Sequence, residues 1–299
     1  MGIIRRCFLL IAARMLLASG IVHPLPGSVL VVTESGVAAF ADAVDGLTGV
    51  LGATTRVIDI QSVRSAAGLA EALRSRDTQL VIAVGSRAFA EVQSRKSAVP
   101  VVSTMMLHGA AMDAAGQMNV DLPLNLQFAA VRTLLPRVSR VGIIRNPAHT
   151  RLTHELLETQ ARKEGYTAVV EECDSPAKLL KTVASLRNRA DLLLCLPDPD
   201  LYNSVTIQPL VMAAIEYRLP VFGFSPAFVR AGAAAGVYPD YRALGRQTAE
   251  LVLRLLKNES KPEGPLEEYP SKVQIAVNQR VVRLLGLDFH LPNGVEVFR

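Results

Sequence analysis

"SRVGIIRN" (139–146), "YTAVVEEC" (166–173), "ADLLLCLPD" (190–198) and "LPVFGFS" (219–225) are four short apolar runs that end in a polar or small residue. Between them stand the longer amphipathic stretches "HTRLTHELLETQARKEG", "SPAKLLKTVASLRNR" and "YNSVTIQPLVMAAIEYR". An apolar run buried on both faces, followed by a helix that carries the chain back to the same edge, is the pattern of a parallel sheet.

The same alternation occupies the preceding hundred residues. "SVLVV" (28–32), "TRVIDI" (55–60), "QLVIAVG" (79–85) and "VPVVST" (99–104) read as buried strands, with "GVAAFADAVDGLTGVLG", "SAAGLAEALRS" and "SRAFAEVQSRK" as the helices between them. Two strand-helix series of matching order predict an α/β fold of two similar doubly wound parallel-sheet lobes. The segment 107–137 joins them through a glycine-bearing loop and a helix opened by Pro123.

A third section begins at Ser225. In "AGAAAGVYPDYRALGRQTAELVLRLLKN" (231–258) a small-residue run leads to Asp240 and then to a helix whose apolar face is Leu244, Leu251, Leu255 and Leu256. "KVQIAV" (272–277) reads as a strand and "NQRVVRLLGL" (278–287) as a terminal helix that docks through its valines and leucines. The expected partition is a multi-crossing hinge with residues 28–122 and 236–258 in one lobe, and 123–235 and 259–299 in the other.

Composition supports a large folded core, since 50% of the 299 residues are hydrophobic. The formal charge is +5, but Arg5, Arg6 and Arg14 supply three of those charges from the first 27 residues, leaving +2. That is too weak a balance for a nucleic-acid partner. Residues 1–27, "MGIIRRCFLLIAARMLLASGIVHPLPG", have two arginines, an apolar stretch and a small-residue exit, the pattern of a signal peptide for export to the periplasm. Arg14 interrupts the run, so a start at Met15 and a retained anchor stay open as alternatives.

Outside that segment the cysteines are Cys173 and Cys195. Each ends a strand, and the two strands flank a third, which separates them by roughly 10 Å, too far for a disulfide. Buried free thiols are expected. His149 and His154 lack the spacing and the companion glutamate of a helical metal motif, so no metal is expected.

Ligands of open parallel sheets bind beyond the carboxyl ends of the strands. That rule selects Thr33 and Glu34, then Gly85, Ser86 and Arg87, then Ser103 and Thr104 in the first lobe. In the second it selects Arg145 and Asn146, then Asp198, Asp200 and Tyr202, then Ser225, with Asp240 at the lip of its helix. Taken singly, Ser86 also reads as a helix cap, Asn146 before Pro147 as a turn former, and "PDPD" (197–200) as a rigid loop whose acid caps a helix. Taken together they predict a polar cleft between lobes. No GxGxxG, phosphate loop or GxSxG elbow accompanies them, so neither a nucleotide cofactor nor a nucleophilic serine is indicated.

"LPRVSRVGIIRNPAHT" (135–150), the stretch 219–262 from "LPVFGFS" to "KNESKP", and "AVNQRVVRLLGL" (276–287) resemble the ABC transporter substrate-binding proteins of the aromatic-amino-acid, tryptophan-type group. The resemblance covers roughly residues 79–290 and implies the type I periplasmic binding fold, a small-molecule solute, an ABC permease partner at the inner membrane, and no catalysis. By position, Asn146 matches the family's asparagine after the first strand of the second lobe. Asp198 matches the acid after the third strand, Asp240 the acid before the Leu-Gly helix, and Ser86 the hydroxyl opening a first-lobe helix. The chain departs from the pattern at "VVSTMMLHG" (101–109), in place of a threonine-aspartate-proline turn, and at Arg145, in place of an aromatic residue. With no Trp and 5% aromatic residues, a stacking platform is not expected.

The reading is therefore an exported, monomeric solute receptor of an ABC importer. It binds an amino-acid-like polar ligand through Thr33, Ser86, Ser103, Asn146, Asp198 and Asp240, without cofactor or nucleic acid. A periplasmic sensor docking on a signalling receptor, and an enzyme on the same scaffold, are the alternatives.

Overall fold

In a computed structural model, which describes residues 28–61, 63–107, 113–150, 152–257 and 266–299, the chain builds two sheets. The first series is β1 (Ser28–Thr33), α1 (Ala38–Leu51), β2 (Thr55–Asp59), α2 (Val63–Arg74), β3 (Thr78–Val84), α3 (Ser86–Ser94), β4 (Val101–Met106) and β5 (Gly116–Asn119). The second is α4 (Leu124–Leu134), β6 (Arg140–Arg145), α5 (His154–Lys163), β7 (Thr167–Glu172), α6 (Leu179–Ser185), β8 (Leu192–Leu194), α7 (Ile207–Glu216), β9 (Val221–Gly223), α8 (Pro226–Arg230) and β10 (Ala235–Pro239). The closing section is α9 (Tyr241–Leu256), β11 (Leu266–Glu268), β12 (Val273–Asn278), α10 (Gln279–Leu285) and β13 (Glu296–Phe298).

The strand orders are β11-β5-β4-β3-β1-β2 and β13-β12-β10-β9-β8-β6-β7. Five strands of each sheet follow the same doubly wound order, and every pairing but the antiparallel β10–β12 is parallel. The two expected lobes are thus present. The burial pattern shows why the runs read as continuous hydrophobics: in β1, Val29 and Val31 join a core with α1 and α9, while Leu30 and Val32 join the opposite core with α2 and α3. Both faces of the second sheet are covered likewise, by α4, α5 and α10 on one side and α6, α7 and α8 on the other.

Three passages connect the sheets: Asn119 to Leu124, Pro239 to Tyr241, and Glu268 to Val273. Sheet membership shifts two of the expected lobe limits. Residues 236–239 belong to the second sheet, because β10 bonds to β9 and β12, and Leu266–Glu268 belongs to the first, because it extends β5. Strands β5, β10, β11 and β13 are short or rich in small or polar residues, so alternation does not mark them. As expected, the terminal helix docks through Val281 and Val282.

Helix α9 packs on α1 with no side chain between the backbones at two points. A Cβ on Gly46 would fall inside the contact shell of the Arg242 carbonyl oxygen, and one on Gly245 inside that of the Ala43 carbonyl. Glycine weakens a helix by about 1 kcal/mol per residue relative to alanine, but here it permits an approach that no other residue allows. Arg242 adds an exposed ion pair to Asp45 at 2.9 Å.

Cys173 and Cys195 are buried and free. They follow β7 and β8, which flank β6. Burial pushes the Cys195 thiol up to about 12, opposed weakly by a hydrogen bond with Tyr202.

Two outcomes follow from this packing. Gly245→Ala is expected to cost about 2 kcal/mol through overpacking that exceeds the gain in helix propensity, lowering the Tm by roughly 5 °C in a thermal melt. Native protein at pH 8 is expected to leave Cys195 unalkylated by iodoacetamide, as read by mass spectrometry, because the thiol ionises only as the pH approaches 12. Alkylation in urea then labels it.

Candidate ligand site between the lobes

The turn "PDPD" is built around one carboxylate. Asp198 Oδ1 accepts the backbone N–H groups of Asp200 at 3.0 Å and Leu201 at 2.7 Å. Its Oδ2 lies 3.1 Å from Nδ1 of His149, whose Nε2 is 3.5 Å from Asp200 Oδ2. Asn146 completes the cluster: its Oδ1 accepts the N–H of Ala148, and its Nδ2 lies 3.2 Å from His149 Nδ1. Asn146 is therefore the turn former it resembles; with His149 Nδ1 donating to Asp198, the Asn146 amide stands beside that ring nitrogen and does not touch Asp198 itself. A carboxylate has about four acceptor positions, and these contacts occupy three.

Asp198 lines a cavity of about 330 Å³ that draws residues from both lobes. The first lobe contributes Phe40 and Met105, and helix α9, packed on that lobe, contributes Tyr241. The second contributes Gln127, Pro197, Asp198, Tyr202, Phe224 and Ser225. Four of the chain's 9 Phe and 6 Tyr residues thus surround one space. The expected polar lining is corrected accordingly: the walls are chiefly aromatic and aliphatic, with Gln127, Asp198 and Ser225 as polar points. Composition could not reveal this, because a low average says nothing about where rings gather.

Local backbone geometry aims these groups. Gly85, at the end of β3, has φ +88, and a Cβ there would stand 2.6 Å from the Phe40 ring. The glycine after the third strand therefore seats an aromatic ring, while Ser86 beside it is exposed and lines neither this cavity nor its neighbour. Met105 has φ 59, and the β4–β5 register shifts between Thr104 and Met106. A left-handed methionine costs of order 1 kcal/mol or more, and such a bulge redirects a side chain; here the residue held that way is a cavity wall. Tyr202 is held edge-on to Phe224 and Phe228 at 6.1 and 5.8 Å.

The remaining expected residues stand apart. Thr33 is half-buried, its carbonyl accepting the N–H of Ile60. Ser103 is fully buried in β4 with its Oγ unpaired. Asp240 caps α9 by accepting the N–H of Ala243 at 2.9 Å, while its neighbours Pro239 and Tyr241 line the cavity. Of the six, Asp198 is in the cavity wall and Asn146 supports it. Phe40, Met105, His149, Phe224 and Tyr241 were missed. Strand-end position pointed toward Phe224, but nothing in the spacing marked the others.

The wall carries one carboxylate and no basic side chain. Burial, then the charge of Asp42, pushes the Tyr241 hydroxyl up to about 12, and burial raises Tyr202 well above its ordinary value, so both rings are neutral at physiological pH. Such a site favours a neutral or cationic group on an apolar body. Among the described residues no group of three or more His, Cys, Asp or Glu side chains is placed to hold a metal ion.

A second cavity of about 720 Å³ abuts the first and shares Leu107, Leu122, Gln127 and Pro197 with it. Its other apolar walls come from Pro123, Leu124, Leu152, Leu156 and Leu196, with Asp121, Asn125, His149, Thr150, Gln160 and Tyr269 at polar points.

Solved structures of similar fold include solute-binding proteins. The ligand-free, open form of CD0873 from Clostridium difficile, a substrate binding protein with adhesive properties, has a TM-score of 0.68 at 16% identity, covering 91% of this chain and 99% of that one. An ABC domain in complex with L-Trp from Streptococcus pneumonia has a TM-score of 0.57 at 17% identity, with coverage of 91% and 99%. A periplasmic ribose ABC transporter protein from Conexibacter woesei has a TM-score of 0.51 at 12% identity, with coverage of 88% and 96%. No curated protein matches the chain in sequence. These likenesses confirm the type I periplasmic binding fold. The model for ABC transporter substrate binding proteins matches residues 60–290, from just after the second strand to just past the terminal helix, and the chain belongs to that family.

Proposed function

We propose that this chain is the exported solute receptor of an ABC importer and that its lobes close on an amino-acid-like ligand with a large apolar side chain. The observation that carries this reading is the gathering of Phe40 and Tyr241 from one lobe, and Tyr202, Phe224 and Asp198 from the other, around a single cavity. A ring placed there gains its full contact only when both lobes approach, so the ligand favours the closed state by its differential affinity. The ammonium of the ligand pairs with Asp198, whose turn and His149 hold it in place. Micromolar affinity corresponds to about −8 kcal/mol, which burial of one aromatic side chain and one charge-assisted hydrogen bond supplies in large part.

Delivery to a permease at the inner membrane and a periplasmic location are part of this reading, and family membership supports both. The segment 1–27 that would direct export lies outside the described residues, among which no helix is long and apolar enough to cross a membrane. The protein acts as a monomer in this reading and performs no chemistry on its ligand. Thr33, Ser86, Ser103 and Asp240 are given supporting roles at strand ends, and Asn146 positions His149.

A thermal-shift series on residues 28–299 tests the ligand class. Phenylalanine, tryptophan and leucine are expected to raise the Tm, by the equivalent of about 2.7 kcal/mol at 100 times the dissociation constant. Phenylpyruvate, which lacks the amine, leaves it unchanged. A shift with sugars or nucleosides alone would overturn the reading.

Two substitutions address the site. Asp198→Asn keeps the turn's acceptor but removes the charge, and is expected to weaken phenylalanine binding by about tenfold or more in calorimetry. Gly85→Ala displaces the Phe40 ring and is expected to weaken it by a similar factor, with the Asp198 turn intact.

A further inference from the structure

The 330 Å³ cavity is at the small end of the range for ligand pockets, about 300–1,000 Å³, and one ring with an amine fills it. The adjoining 720 Å³ cavity is more than twice as large and is lined by six leucines, at 107, 122, 124, 152, 156 and 196. Leu107 and Leu156 are among the chain's exposed large hydrophobic residues, at 36% and 39%. Exposed apolar residues gathered in a concave site mark a binding surface rather than scattered surface leucines.

Gln127 stands where the two cavities meet, and it is 4% exposed. Its Nε2 donates to the Leu122 carbonyl at 2.9 Å, which fixes the orientation of the amide. With Nε2 engaged, Oε1 is the acceptor that this amide offers to a ligand N–H at the junction. The groups in order are therefore a carboxylate and aromatic rings, an amide acceptor, and a leucine-rich chamber with a polar margin. That order is matched by an amine and a ring, an N–H linker, and a branched alkyl group.

We infer that the physiological ligand is bipartite and of dipeptide size: an aromatic residue in the smaller cavity, an amide N–H on Gln127 Oε1, and an aliphatic residue in the leucine-lined cavity. The inference rests on the proposed aromatic amino-acid-like reading and extends it to a larger substrate class. Leu156 and Leu152 then set specificity for the second residue, a role separate from that of the rings and Asp198.

Calorimetry on residues 28–299 with L-phenylalanine, L-phenylalanyl-L-leucine and L-phenylalanyl-glycine decides the matter. The expected result is that phenylalanyl-leucine binds at least tenfold more tightly than phenylalanine, and phenylalanyl-glycine falls between. Leu156→Trp, at a partly exposed position on α5, fills the larger cavity; it is expected to cancel the advantage of phenylalanyl-leucine while leaving phenylalanine affinity unchanged. Phenylalanine binding as tightly as phenylalanyl-leucine to the unmodified protein overturns the bipartite ligand and leaves the aromatic reading standing. An unaltered phenylalanyl-leucine advantage in a folded Leu156→Trp protein, checked by circular dichroism, also overturns it. Failure of all three compounds to bind removes the aromatic reading and this inference together.

Discussion

Helix α9 reaches the first lobe because two glycines let its backbone touch that of α1. The helix leaves the second sheet at Pro239 and docks on the first lobe within one residue, so Gly46 and Gly245 tie the lobes beside the inter-lobe cavity. Tyr241 stands at that crossing and lines the cavity. A loss of helix propensity worth about 1 kcal/mol per glycine is offset by the contact it permits, and the same contact makes the hinge a defined joint.

The site combines a fixed charge with an adaptable apolar wall. Asp198 is held by two backbone N–H groups and an imidazole, so it is already oriented before a ligand arrives. Preorganisation of this kind reduces the ordering cost of binding. The rings, in contrast, come from both lobes, and their contact with a ligand depends on closure. In the proposed reading, charge governs which ligands are admitted, and the apolar wall governs whether the lobes stay together.

Much of this architecture was legible in the residues. Continuous apolar runs such as "QLVIAVG" and "VGIIR" mark strands covered on both faces, and their alternation with amphipathic stretches implies parallel order. The separation of Cys173 and Cys195 by an intervening strand followed from the same order. Strand β10 was not legible, since "AGVYP" owes its place to backbone partners in β9 and β12 that lie far along the chain. Asp198 was identifiable as a polar strand end. Ser86 and Asp240 satisfied the same rule, yet one faces solvent and the other spends its oxygen on a helix cap.

The sequence alone therefore determined the fold class of two parallel-sheet lobes, because hydrophobic periodicity records local burial and order along the chain, and its motifs carried the family resemblance. Only the tertiary structure decided what the ligand would meet. Phe40, Tyr241, Tyr202 and Phe224 are distant in sequence, and His149 stands 49 residues from the aspartate it supports. Their convergence depends on strand order, on a left-handed Met105 and on a glycine that leaves room for a ring. Such distances are set by packing between lobes, which no pattern of neighbouring residues encodes.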